Sequence, residues 1–146
     1  GNEIYDTFMD NGGPDYMVEF PHGYTYSAHP VACAAGIAAL DVLVDDGLVA
    51  RVKEIAPIFE EAVHSLKGSP YVTDIRNYGL AAGISLEHFP NEPLKRPFEV
   101  GLKCLEKGFY VRWGADTLQL APPFIVNQEQ IDDLINAVGE SLHELD

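Results

Sequence analysis

Basic residues are scarce in this chain: 9 lysines and arginines stand against 23 acidic residues, a formal charge of −14 over 146 residues. A surface of that sign repels phosphate backbones and anionic headgroups, which argues against nucleic acid and acidic membranes as partners. The charge itself reads as a solvated globular surface. Long apolar runs are missing too. None approaches the ~20 residues of a membrane helix, and no charged leader precedes an apolar segment, so the expected compartment is the cytoplasm. Cysteine is nearly absent. Cys33 and Cys104 are too few for a disulfide framework and have no partner at metal-ligand spacing, so both are expected to be small buried hydrophobes. His22 and His29 flank one turn without a third ligand, and no metal is expected there.

What the chain does have is apolar content, 47% of its residues, ample for the core of one domain. It opens Gly1-Asn2-Glu3-Ile4-Tyr5, with neither an initiator methionine nor a leader, and reads as though cut from a longer protein. Residues 4–9 suggest a short amphipathic turn, and Asp10-Asn11-Gly12-Gly13-Pro14-Asp15 a loop. Apolar residues at helical spacing predict helices over 30–44 and 48–67, separated by Asp45-Asp46-Gly47, with Pro57 expected to bend the second. Alternating β-formers predict strands over 71–76 and 80–86, paired antiparallel through Asn77-Tyr78-Gly79.

The prolines of Phe89-Pro90-Asn91-Glu92-Pro93 argue against a ladder there. Pro97 and Gly108 punctuate a helix over 97–107. Strands are predicted over 109–113 and 117–120, joined by Gly114-Ala115-Asp116. Asn127-Gln128-Glu129-Gln130 caps a final helix reaching about residue 143. Strands grouped between helices, without strict alternation, predict an α+β fold: a small, mostly antiparallel sheet with helices packed on one face.

One stretch suggests chemistry. His22-Gly23-Tyr24-Thr25-Tyr26-Ser27-Ala28-His29-Pro30 runs into the small-residue series Val31-Ala32-Cys33-Ala34-Ala35-Gly36. A glycine turn and a row of hydroxyls end at a proline where a helix begins, which presents a hydroxyl and free backbone N–H groups to an anion.

Together with Ile75-Arg76-Asn77-Tyr78-Gly79-Leu80 and Gly108-Phe109-Tyr110-Val111-Arg112, this stretch resembles the C-terminal third of the class III aminotransferases. The nearest branch moves amino groups from ω-amino acids or amines to pyruvate. The resemblance implies a fold-type-I enzyme using pyridoxal 5′-phosphate, with residues 1–30 closing its large domain and 31–146 forming an interdomain helix and the small C-terminal domain. It gives Thr25 the cofactor phosphate of the neighbouring subunit, and Arg112 the role of a mobile arginine that grips a substrate carboxylate. Trp113 would line the pocket entrance, and Asn77-Tyr78-Gly79 would be a structural turn.

The family's Schiff-base lysine falls upstream of residue 1, and none of Lys53, Lys67, Lys95, Lys103 and Lys107 matches its position. The chain is therefore expected to hold no catalytic residue, to be inactive alone, and not to retain the cofactor. The complete enzyme is expected to be a homodimer or larger homo-oligomer taking small amino donors and keto acids. The same layout serves 4-aminobutyrate, ornithine-type and diaminopelargonate-type enzymes, and a free-standing binding domain could keep the fold without the chemistry.

Overall fold

The structure is a computed structural model that describes residues 1–15 and 23–145. Phe20, Pro21 and His22 of the motif lie outside the described residues. Contacts divide the chain into two compact units, Gly1–Leu40 and Asp41–Asp146.

In the first unit, α1 covers Asn2–Asp10, a full helix where only a turn was expected. Ile4, Tyr5, Phe8 and Met9 recur at helical spacing, and the Thr7 hydroxyl donates back to the Glu3 carbonyl at 2.7 Å. Helix α2, Pro30–Asp45, begins in this unit with proline in its first position, where the missing N–H costs no bond. Cys33 on α2 is exposed, which corrects its expected burial. The alanine-rich sequence forms a helix on propensity, and its apolar residues, Val31, Ile37, Leu40 and Val42 among them, are spread around it, so no face is singled out for a core.

The second unit holds the sheet. Helix α3 covers Leu48–His64 and runs without interruption through Pro57. Gly47 precedes it at φ 61°, a left-handed conformation that suits glycine. Strands β1 (Val72–Tyr78) and β2 (Ala81–Leu86) pair antiparallel. The turn between them is tighter than predicted, because Tyr78 already pairs with Ala81 and only Gly79 and Leu80 remain outside the ladder. The loop after β2 carries one isolated bridge, Phe89 to Glu92. Its prolines tolerate this because the N–H used belongs to Glu92, 3.0 Å from the Phe89 carbonyl.

Helix α4, Lys95–Glu106, ends in a Schellman motif. Gly108, at φ 92°, donates to the Leu105 carbonyl, and Phe109 donates to that of Cys104 at 2.8 Å. The Phe109 N–H is thereby unavailable to a ladder, and β3 is only Arg112–Gly114, shorter than predicted. Strand β4, Thr117–Leu120, returns antiparallel to it. Helix α5, Gln128–His143, starts from a capping box in which Asn127 Oδ1 accepts from Gln130 N at 2.9 Å and Asn127 N donates to Gln130 Oε1 at 3.1 Å. Asn127→Ala is expected to cost about 1 kcal/mol, read as a lower urea midpoint at unchanged slope.

The sheet order is β1-β2-β4-β3, and every pair is antiparallel. Ile75, Ile84, Leu118 and Trp113 stand in register as one row across it. Ile84 and Leu118 are fully buried and pack with Phe59 and Val63 of α3, Val100 and Cys104 of α4, and Ile131, Val138 and Leu142 of α5. Since neighbouring strand residues alternate faces, one side of the sheet is the core and the other is open. The α+β layer with helices on one face is the architecture expected.

Candidate functional site

The Thr25 turn belongs to the first unit. Ser27 N donates to the Tyr24 carbonyl at 2.9 Å, and Ser27 Oγ accepts from Tyr24 N at 2.8 Å. His29 N donates to the Tyr26 carbonyl at 3.2 Å. These bonds fold the chain tightly enough to put Ala28 at φ 60°, and α2 follows at once. Thr25 itself is exposed and its hydroxyl has no hydrogen-bond partner among the described residues, so it does not cap the helix. A fixed turn holding a free hydroxyl ahead of a helix start fits a phosphate oxygen. A Schiff-base amine is another matter, because the first unit contains no lysine. Lys103 and Lys107 are engaged by Glu144, with Glu140 also on Lys107. Those carboxylates raise the Lys107 pKa, the reverse of what a nucleophilic amine needs.

The open sheet face of the second unit carries the other candidate. Arg76, Gly83, Gln119 and Arg112 form one row across β1, β2, β4 and β3, beside the buried row. Arg76 is tied down by Asp74 at 2.9 Å and the Ser85 hydroxyl at 3.0 Å, with Thr117 Oγ1 at 3.5 Å. Thr117 also donates to Asp116 Oδ1 at 2.8 Å, and His88 lies 3.2 Å from Oδ2. The hydroxyl first, then the imidazole, hold the Asp116 carboxyl below the usual carboxylate range. Whatever stability this contributes is present above the ordinary carboxylate range and is lost as pH falls through the lowered value.

The remaining arginines divide cleanly. Arg51 donates to three successive carbonyls, those of Phe124, Ile125 and Val126, at 3.1, 3.3 and 2.6 Å. Arg96 donates to the Glu87 and His88 carbonyls, both at 2.8 Å, with Tyr71 stacked 4.1 Å from its guanidinium. Arg112 is exposed and has no ion pair or side-chain hydrogen bond among the described residues. Three guanidinium groups are thus spent on the protein's own atoms and one is open to a ligand. A planar fork of N–H donors on a rigid strand is suited to bidentate capture of a carboxylate.

Trp113 turns to the helices rather than to Arg112. Its ring lies on the bare face of Gly101 and meets Phe98 edge-on at 5.7 Å, so it packs as core and not at the entrance to Arg112. Gln119 escaped the sequence reading, although its place between the apolar Leu118 and Leu120 already signalled an open-face position. It borders a groove of about 540 Å³ with Phe109, Tyr110, Pro122 and Ile125. His64 contacts Asn77 at 2.9 Å and His143 the Gly139 carbonyl at 2.8 Å, both local structural bonds. Among the described residues no group of three or more His, Cys, Asp or Glu is placed to hold a metal, and no helix is long and apolar enough to cross a membrane.

Comparison with known proteins agrees with the fold. The profile of the family described as aminotransferase class-III matches residues 1–142. The beta-alanine–pyruvate aminotransferase of Pseudomonas aeruginosa is 55% identical over 142 residues, 97% of this chain and 32% of that protein. The omega-amino acid–pyruvate aminotransferase of Pseudomonas putida is 54% identical over 143 residues, 98% of this chain and 32% of that protein. The adenosylmethionine-8-amino-7-oxononanoate aminotransferase of Methanocaldococcus jannaschii superposes with a TM-score of 0.82 at 28% identity, covering 99% of this chain and 34% of that one. The chain thus spans about a third of the length of the curated relatives it matches. A profile match across residues 1–142, together with the shared fold, makes this chain a member of the class III aminotransferases.

Proposed function

We propose that this chain is the C-terminal part of an enzyme that transfers an amino group from an ω-amino acid or amine to pyruvate. Residues 1–30 complete the large domain in this reading, and 31–146 form the interdomain helix and small domain. The observation that carries it is the unpartnered Arg112, beside three arginines committed to backbone or carboxylate groups.

In the complete enzyme, a homodimer in this reading, bound pyridoxal phosphate supplies the electron sink that lets an amino group leave one carbon and join another. The chain's own residues do the rest of their share by binding. Thr25 donates its hydroxyl to a phosphate oxygen of the neighbouring subunit's cofactor without bringing a competing charge. Arg112 clamps the substrate carboxylate and so fixes the reacting end of the molecule. None of Lys53, Lys67, Lys95, Lys103 and Lys107 matches the position of the family's Schiff-base lysine, so in this reading that amine comes from the part of the enzyme outside this chain. The chain by itself is therefore inactive in this reading.

Two measurements test the reading. This chain alone, mixed with pyridoxal phosphate, is expected to develop no absorbance band that mutation of one of its lysines removes; such a band would overturn it. Spliced in place of the matching third of the Pseudomonas aeruginosa enzyme, the chain is expected to support transfer from β-alanine to pyruvate, and Thr25→Val to lower cofactor retention about tenfold through one lost hydrogen bond to a charged group. Retention unchanged by Thr25→Val would remove Thr25 from the site.

A further inference from the structure

Gln119 stands directly opposite Arg112 on the open face, where paired residues hold their β-carbons about 5 Å apart. An amide oxygen at that position is a neutral acceptor that a guanidinium could take, yet no hydrogen bond joins the two side chains. The reason lies diagonally across the ladder. The Gln119 carboxamide lies along β3 over Gly114, its Nε2 only 2.8 Å from where a β-carbon at residue 114 would be. A glycine there leaves the seat vacant, and its backbone is ordinary extended strand, so it is not required by conformation.

From this juxtaposition we propose that Gln119 is a positioning residue for Arg112, and that Gly114 sets which way it points. Parked over Gly114, the carboxamide leaves the guanidinium unsatisfied and open to a substrate carboxylate. Swung back across the ladder, it offers Oε1 to Arg112 and satisfies the cation when the amino donor brings no carboxylate. The inference rests on Arg112 being the carboxylate site and adds a specificity control to it: the balance between the two seats sets how strongly carboxylated donors are favoured over plain amines.

The decisive variant is Gly114→Ala, whose methyl group displaces the carboxamide. In the spliced enzyme, KM for β-alanine is expected to rise about tenfold, because a hydrogen bond from the cationic Arg112 to the Gln119 carboxamide must first be broken, while KM for a carboxylate-free amine stays within about twofold and kcat changes little. Adding Gln119→Ala to Gly114→Ala is expected to restore the original ratio, which a simple strand defect would not do. A side-chain readout on the chain itself accompanies this. The Arg112 Nε–H is expected to exchange with water more slowly in Gly114→Ala than in the parent, and to speed up again in the double variant. An unchanged KM ratio, or exchange that ignores Gln119, overturns the inference. If Arg112→Leu itself leaves the β-alanine KM unmoved, the failure lies with the carboxylate site and not with Gln119.

Discussion

Replacing Arg112 by leucine in the spliced enzyme is expected to raise KM for β-alanine and for pyruvate by about 100-fold and to affect a carboxylate-free amine donor less than about threefold. The magnitude follows from what is removed. A charge-assisted, bidentate pair between guanidinium and carboxylate is worth about 1.5–3 kcal/mol, and about 1.4 kcal/mol is a factor of ten. Leucine keeps the methylene bulk, so lost packing is a small part of the loss. The strand below should tolerate the change, because Arg112 contributes nothing to the buried row and its side chain makes no hydrogen bond or ion pair among the described residues. Steady-state kinetics with matched donors checks this, alongside a thermal unfolding curve expected to move by less than about 2 °C. A uniform loss across all donors would assign Arg112 to the fold instead of the ligand.

The largest stability effect is expected at the centre of the buried row. Ile84→Ala should cost about 3–4 kcal/mol, whereas Ile75→Ala, in the same row, should cost about 1–2 kcal/mol. Ile84 is fully buried on β2, with Ile75 on one flank and Leu118 on the other, so neither neighbour can collapse into the hole without leaving its own strand. Ile75 lies on the edge strand and is only partly buried, which already leaves part of its surface in water. Urea unfolding of the chain monitored by far-UV circular dichroism measures both. Equal losses at the two positions would contradict the packing gradient across the sheet.

Local signals carried most of this architecture. Pro30, Gly47, Pro97, Gly108 and Asn127 punctuate the helices as backbone chemistry requires, and all were readable directly. The β3 boundary was not, because it depends on where the Phe109 N–H goes, and that is decided by the end of the preceding helix. Cys33 misled for a related reason: small apolar residues form a helix whether or not anything covers it. Of the proposed site, Thr25 and Arg112 were singled out by the resemblance of the motifs they stand in. Gln119 could be placed on the open face by alternation alone, but its pairing with Arg112 and its seat over Gly114 required the register of two ladders.

The Arg51 clamp carries one more consequence. Arg51 is the first lysine or arginine of this sequence, so trypsin has no earlier bond to cut within residues 1–51. Its guanidinium is held by the carbonyls of Phe124, Ile125 and Val126, in the segment leading to α5. A protease must pull that side chain into its own specificity pocket, which first requires α3 and the α5 approach to part. Release of the first tryptic peptide therefore reports the opening of one internal latch, at a bond the sequence alone would score as an ordinary surface site.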